Sequence, residues 1–430
     1  MPNLFNNNKF LVSLVFILAL MPRMAAGIIS GHSLSGDEIA FTNLATCILE
    51  GKTYGDNIPP GFSNARLPLY PLFIAVIYFF TNGSILAVKL AQALVGAFTS
   101  LIIFFIAEDI FKNRLVSFVA AIIFAIYPLA ISLGESLFSE SFFTFLLALA
   151  IFFILKGSDR PNLKNLSLSG IFLGLAALTR PAIWAFLPFF ILWSLLFSSG
   201  NFLSSTKNSI FIILLMALTV SPWAIRNYVV FKKLTPLPTG GSITFYVYNN
   251  EYTLKKIFDP LIFLSETPLT DEQKRDLSLL SEPERDKYLY RLGWEFARSH
   301  PKDFLKIRLI SIGQFWSLWP ESPSRYKEYY SKKGAYRSPI LDEFADTSIL
   351  YSVKIIYHLL YDALFVGMFI SLYFSFKMGV GFRKSFLLIS LLIAMTLLFS
   401  IHGTVRYRLP VDPYVFLLGT HGILSLRRKK

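Results

Sequence analysis

Two adjacent acids, Asp37 and Glu38, stand a few residues beyond the first apolar stretch of the chain. A carboxylate there can act as a general base on a hydroxyl held at a membrane surface, although two acids in a loop can also be ordinary solvated side chains. The cations placed to work with it are Arg66 at the end of the same loop, Lys89 just inside a later apolar run, Arg180 in Thr179-Arg180-Pro181, and Arg406 and Arg408 before the last apolar run. One carboxylate with several cations suits a displacement in which a phosphate leaves. A departing alcohol must be protonated by a second carboxyl group, whereas a phosphate departs as a stabilised anion and needs cations. For each of these basic residues the competing reading is a side chain that snorkels to lipid headgroups. Lys89 and Arg180 are set deeper, where an unpaired charge is costly. Glu140 opens an apolar run in Leu137-Phe138-Ser139-Glu140, so it is either ion-paired with an outer arginine or a ligand for substrate hydroxyls. Glu135 reads as an exposed turn residue.

Other chemistries find little support. Lys354, His358 and Asp362 recur every four residues and share a helix face, but Tyr351, Tyr357 and Tyr361 around them suggest the wet face of a helix entering a membrane obliquely. No His-Glu-x-x-His, Walker-type or dinucleotide glycine pattern occurs, and the single cysteine, Cys47, excludes an intrachain disulfide and a cysteine-based zinc cluster. No cofactor is expected, and metal dependence has no support in the sequence.

The elements that must position these residues are apolar. The chain has 430 residues, 54% hydrophobic and only 16% charged, where soluble domains carry about a quarter charged residues. Its net charge of +14 resides mostly in short connectors between apolar runs, which is a topological pattern and not a nucleic-acid-binding surface. The run from about Phe10 to Ile29 could be a signal peptide cut near Ala25-Ala26-Gly27. Its length and the interruption by Arg23 favour an uncleaved first span. Further runs lie at about 68–81, 84–107, 115–133, 137–155, 166–198, 208–223, 350–376, 385–401 and 409–426. The stretch from Leu67 to Phe80 has about 14 residues with Pro68 and Pro71, and reads as a juxtamembrane or re-entrant helix. With that run not crossing, Lys112 and Arg114, then Lys156, Arg160 and Lys164, then Lys207, then Lys377, Arg383 and Lys384, and finally Arg427 to Lys430 all share a side with Lys9. The expectation is an all-helical membrane bundle of about ten spans with both termini cytoplasmic. The 166–198 run becomes a tight hairpin turning at Thr179-Arg180-Pro181 below the outer headgroups.

Three regions follow: residues 1–223 with a first outward loop at 30–66, an outward segment at 224–348, and C-terminal membrane helices at 349–430. Within the second outward segment, Pro283 to Ser299 and Lys302 to Trp319 read as helices. Ser281 with Glu284 has capping-box spacing, and Pro301 suits a first helical position.

Taken in order, these features resemble the GT-C superfamily of membrane glycosyltransferases, in particular the bacterial relatives of protein O-mannosyltransferases and of the lipid A aminoarabinose transferase. The likeness runs through Gly36-Asp37-Glu38, Ala65-Arg66-Leu67-Pro68-Leu69-Tyr70-Pro71, Val88-Lys89-Leu90-Ala91-Gln92-Ala93-Leu94, Tyr127-Pro128, Ser139-Glu140, Thr179-Arg180-Pro181, Pro222-Trp223-Ala224-Ile225-Arg226-Asn227 and Arg406-Tyr407-Arg408-Leu409-Pro410. The resemblance implies inverting transfer of a sugar from a polyprenyl-phosphate donor to a glycolipid, polysaccharide or protein hydroxyl at the outer face of a cell inner membrane. It makes Asp37 the base and Glu38 an orienting group, with Arg66, Lys89, Glu140, Arg180, Arg406 and Arg408 around donor phosphate and substrate. The position of Lys89 is often Arg in such relatives, and no recognisable acceptor-binding module appears in the outward segment. The competing function is a transporter or flippase of a lipid-linked or small polar substrate, which would instead show repeated halves around a midplane polar cavity. A non-catalytic assembly factor would turn Asp37 away from any cavity.

Overall fold

In a lipid-facing chain each backbone amide must find its partner internally, which restricts spanning elements to helices or closed barrels. Every regular element among the described residues of the computed structural model is helical. Those residues are 8–426, apart from 31–33, 35, 56–65, 160, 198–201, 234–237, 257–263, 265–266, 317–347 and 380. Ala65, Arg160, Trp319 and Arg427 to Lys430 of the sequence reading lie outside them, as does the side chain of Lys354.

The helices are α1 Asn8–Ile29, α2 Asp37–Leu49, α3 Leu69–Thr81, α4 Ile85–Phe111, α5 Arg114–Ala125, α6 Pro128–Glu135, α7 Glu140–Asp159, α8 Leu163–Ala177, α9 Ile183–Phe197 and α10 Phe202–Phe231. The segment 224–348 holds α11 Gly241–Val247, α12 Thr253–Lys256, α13 Asp271–Leu279, α14 Glu282–Ser299 and α15 Pro301–Trp316. Then come α16 Ser348–Met378, α17 Phe382–Phe399, a 3₁₀ turn Val405–Arg408 and α18 Asp412–Leu426. Six helices are long and apolar enough to cross a membrane, or seven if α5 and α6 form one bent span. Besides the short apolar α3, three shorter helices, α8, α9 and α18, complete the bundle. These three have 15 residues each, about 22 Å of helix, and are shorter than a hydrocarbon core of about 30 Å. Helices α8 and α9 are the two arms of the 166–198 run, but in place of a tight hairpin α8 packs chiefly on α7 and α10 and α9 on α17. The short α3 packs on α2.

The 115–133 run is not one continuous helix. It bends by 47° between α5 and α6, where Pro128 has no amide hydrogen to continue the ladder. The carbonyls released at the break are taken by Arg23 of α1, which is 2% exposed and donates to Ala125 O at 2.6 Å, Phe124 O at 3.1 Å and its own Ala19 O at 2.8 Å. Gly96 of α4 makes the room, since a Cβ there would stand 2.6 Å from Arg23 Nε. Glu135 is also not in an exposed turn: it ends α6 and is buried, because the α6–α7 connection folds back over α4.

Packing proceeds from α1 on α4, through α4 on α5 and α7 and α7 on α8, to α8 on α10, with α9 against α17 and α16 against α18. Large apolar side chains such as Leu214 and Leu218 on α10 and Val366 and Phe369 on α16 stay uncovered, as lipid-facing surfaces do. At one end of the bundle Asp109 accepts from Lys156 at 2.8 Å and Lys384 at 2.5 Å, with Lys112 at 3.5 Å. Three basic connectors that the charge argument assigns to one side therefore meet at one end. In the segment 224–348 the capping boxes Thr270–Gln273 and Ser281–Glu284 start α13 and α14, the latter as expected from its spacing.

Candidate active site

The opposite end of α4 gathers the chemistry. Gly36, at φ 51°, takes the left-handed turn that starts α2, and Asp37 and Glu38 occupy the first helical turn. Consecutive helical residues point about 100° apart, so the two acids cannot face the same place. Asp37 turns to the bundle end, where Arg66 Nη2 donates to its Oδ1 and Arg406 Nη2 donates to its Oδ2 at 3.3 Å. Glu140 opens α7 and is fully buried. Its Oε1 accepts from Arg406 Nε at 2.5 Å and pairs with Arg180 Nη1 at 2.9 Å, while Arg180 also donates to Ser139 Oγ at 3.0 Å. Glu140 Oε2 has no hydrogen-bond partner among the described residues. Arg406 lies over the Phe138 ring at 3.7 Å and Arg180 over the Tyr407 ring at 5.0 Å.

Three guanidinium groups thus surround two carboxylates and leave an excess of one positive charge. Asp37 keeps 31% of its side chain exposed and Arg66 keeps 36%. Burial pushes the Asp37 carboxyl up, but Arg66, Arg406 and Arg180 outweigh it and hold it down at about 2. Burial disfavours the charge on Arg406, yet Glu140, Tyr407 and Asp37 raise its affinity for the proton above the ordinary arginine value. The cluster can hold an anion, and it can keep one carboxylate ionised beside it.

Of the eight residues expected at the site, Asp37, Arg66, Glu140, Arg180 and Arg406 converge and three do not. Glu38 is fully buried behind the cluster, where it accepts from the Leu137 amide at 2.9 Å and braces the connection leading to Glu140. Lys89 donates to Ser30 Oγ at 2.7 Å and Ser30 O at 3.3 Å, at the end of α1. Arg408 points the other way from Arg406, since residues two apart in a 3₁₀ turn stand about 240° apart. It pairs with Asp412 at 2.9 Å and donates to Trp316 O at 2.6 Å, and Asp412 accepts from Tyr127 at 2.6 Å and Tyr361 at 2.9 Å. Sequence reasoning did not single out Phe138, Ser139 or Tyr407 as parts of the site. Their only signal was adjacency to Glu140 and Arg406. Among the described residues no group of three or more His, Cys, Asp or Glu side chains is placed to hold a metal ion.

The family described as dolichyl-phosphate-mannose-protein mannosyltransferase matches residues 64–225, a stretch that contains Arg66, Glu140 and Arg180. No curated protein matches the chain. The structure of the oligosaccharyltransferase AglB from Archaeoglobus fulgidus, in complex with an inhibitory peptide and a dolichol-phosphate, superposes with a TM-score of 0.59 at 14% identity, over 97% of this chain and 50% of that one. The Archaeoglobus fulgidus oligosaccharyltransferase tethered to an acceptor peptide gives a TM-score of 0.55 at 12% identity, over 97% and 49%. ArnT from Cupriavidus metallidurans bound to undecaprenyl phosphate gives 0.46 at 11% identity, over 97% and 78%. The chain spans about half the length of the two archaeal structures.

Proposed function

We propose that this chain, a membrane protein with the fold of the GT-C superfamily of glycosyltransferases, is itself an inverting glycosyltransferase. It moves a sugar from a polyprenyl-phosphate donor to a hydroxyl acceptor at the outer face of a cell membrane. The observation that carries this reading is Asp37, an ionised and partly open carboxylate set against Arg66 and Arg406 and next to the Glu140–Arg180 pair.

Asp37 takes the proton from the acceptor hydroxyl while its oxygen attacks the anomeric carbon on the face opposite the phosphate. A new carbon–oxygen bond forms there. The bond from the anomeric carbon to the phosphate oxygen breaks, and the electron pair departs with the polyprenyl phosphate. The excess positive charge of the cluster stabilises that departing anion, and Arg66, Arg180 and Arg406 supply it without a proton donor. Glu140 keeps Arg180 and Arg406 in place. The lipid chain of the donor lies along the uncovered apolar helices, and the acceptor is a glycolipid, polysaccharide or protein.

The test is transfer by purified Asp37→Asn protein from a polyprenyl-phosphate sugar. A general base contributes about two to four powers of ten, so transfer should fall by that much while donor still binds. Undiminished transfer would overturn the assignment. Mass spectrometry of envelope glycans and glycolipids with and without the protein identifies the sugar and its acceptor.

A further inference from the structure

The segment Pro222-Trp223-Ala224-Ile225-Arg226-Asn227 near the end of α10 has no part in the cluster itself, yet it concentrates unusual contacts. The Arg226 guanidinium lies among three rings, 4.9 Å from Trp223, 5.6 Å from Tyr54 and 5.9 Å from Phe231. It donates to Tyr54 O at 3.1 Å and to Asn227 Oδ1 at 2.9 Å. Trp223 meets the Tyr54 ring edge-on at 5.1 Å. Tyr54 in turn donates through its hydroxyl to Arg66 O at 3.2 Å and Leu67 O at 3.3 Å. On the far side of the same short stretch, the Leu69 amide donates to Leu178 O at 3.1 Å, in the turn that carries Arg180.

We propose that Trp223 and Arg226 are positioning residues that act through Tyr54 to fix the backbone of Arg66, so that its guanidinium meets Asp37 and the donor phosphate. The phosphate part rests on the glycosyl-transfer reading above; the clamp itself does not. Apolar side chains would fill the same space without a charge to desolvate. The guanidinium adds what they lack, a directed bond to the Tyr54 carbonyl together with attraction to ring faces. Tyr54 then has its backbone held from α10 and its hydroxyl free to hold the two carbonyls beside Arg66. A long arginine is useful in a reaction only if its root is fixed, because a displacement of about 1 Å can cost a hundredfold in rate.

The test is a set of mutant cycles with Tyr54→Phe, Arg226→Ala, Arg226→Lys and Arg66→Ala. Tyr54→Phe keeps the ring and removes only the hydroxyl bonds. Tyr54→Phe and Arg226→Ala should each lower kcat by roughly tenfold to a hundredfold, Arg226→Lys should recover part of the loss, and neither Tyr54→Phe nor Arg226→Ala should add to the loss of Arg66→Ala. Losses that multiply in the Arg66→Ala background would show independent effects on folding and overturn the clamp. Thermal unfolding of the same proteins needs no substrate: Arg66→Ala should lower Tm less in Tyr54→Phe protein than in the wild type, and equal shifts would also overturn it. An inactive wild type with coupled Tm shifts would sink the glycosyl-transfer reading and leave the clamp standing.

Discussion

Arg406 Nε stands 2.5 Å from Glu140 Oε1, joining two residues 266 positions apart. The same guanidinium reaches Asp37 through Nη2 at 3.3 Å. One planar fork therefore spans both carboxylates, a geometry that an ammonium group cannot reproduce. Arg406→Lys should keep the charge, lose one of the two contacts, and lower kcat by about 10²-fold, the order reported for removal of one preorganised donor. Steady-state transfer assays check this, and activity within a factor of two of the wild type would refute it.

Glu140 is buried against Arg180 and Arg406. Glu140→Gln leaves two guanidinium groups without their shared counter-ion, and breaking a buried pair costs about 3–5 kcal/mol. Melting in detergent or lipid nanodiscs should show a marked loss of Tm, larger than that of Arg66→Gln, whose side chain is more than a third exposed.

A carboxyl group held at about 2 in the folded protein, against about 3.9 unfolded, makes the ion pairs of Asp37 most stabilising above the unfolded value. That contribution is lost as pH falls from about 4 through about 2. Arg66, Arg406 and Arg180 act on Asp37 in this direction, while Glu140 is the neighbouring acid. Acid unfolding of Asp37→Asn should accordingly be shallower between pH 4 and 2 than that of the wild type. The transfer rate of the wild type should show no acidic limb from Asp37 above about pH 4.

Below the site, Arg408 and Asp412 form a pair sealed by Tyr127 and Tyr361. Asp412→Asn should destabilise by about 3–5 kcal/mol, and Arg408→Met with Asp412→Leu should cost less than either single change, because no uncompensated charge is left. Chemical denaturation of these variants and of the wild type measures the difference.

The sequence carried the bundle and most of the cluster, for physical reasons that can be named. Apolar run length and the parity of basic connectors fix which residues share an end, so Asp37, Glu140, Arg180 and Arg406 could be brought together without coordinates. What was not legible is which of two close neighbours faces inward. Asp37 and Glu38 differ by one helical step, and Arg406 and Arg408 by two steps of a 3₁₀ turn that no composition signal announces. Glu135 looked solvated because hydropathy does not register a connection folded over α4. The α5–α6 bend breaks a run that reads as one span, and its stabilising partner, Arg23, lies 101 to 102 residues away, so that only the fold pairs them.

That partnership bears on how the chain is made. Arg23 sits in the second half of the 22-residue α1, inside its apolar run, and a charge within a spanning helix is costly to insert. Two of the three carbonyls that accept from it belong to residues synthesised about a hundred positions later. At synthesis rates of 5–20 residues per second, α1 waits on the order of 5–20 seconds for its partner. During that interval the Arg23 guanidinium has, of its three acceptors, only Ala19 O of its own helix, until Phe124 and Ala125 arrive. The first helix of this protein is in this sense completed by the fifth.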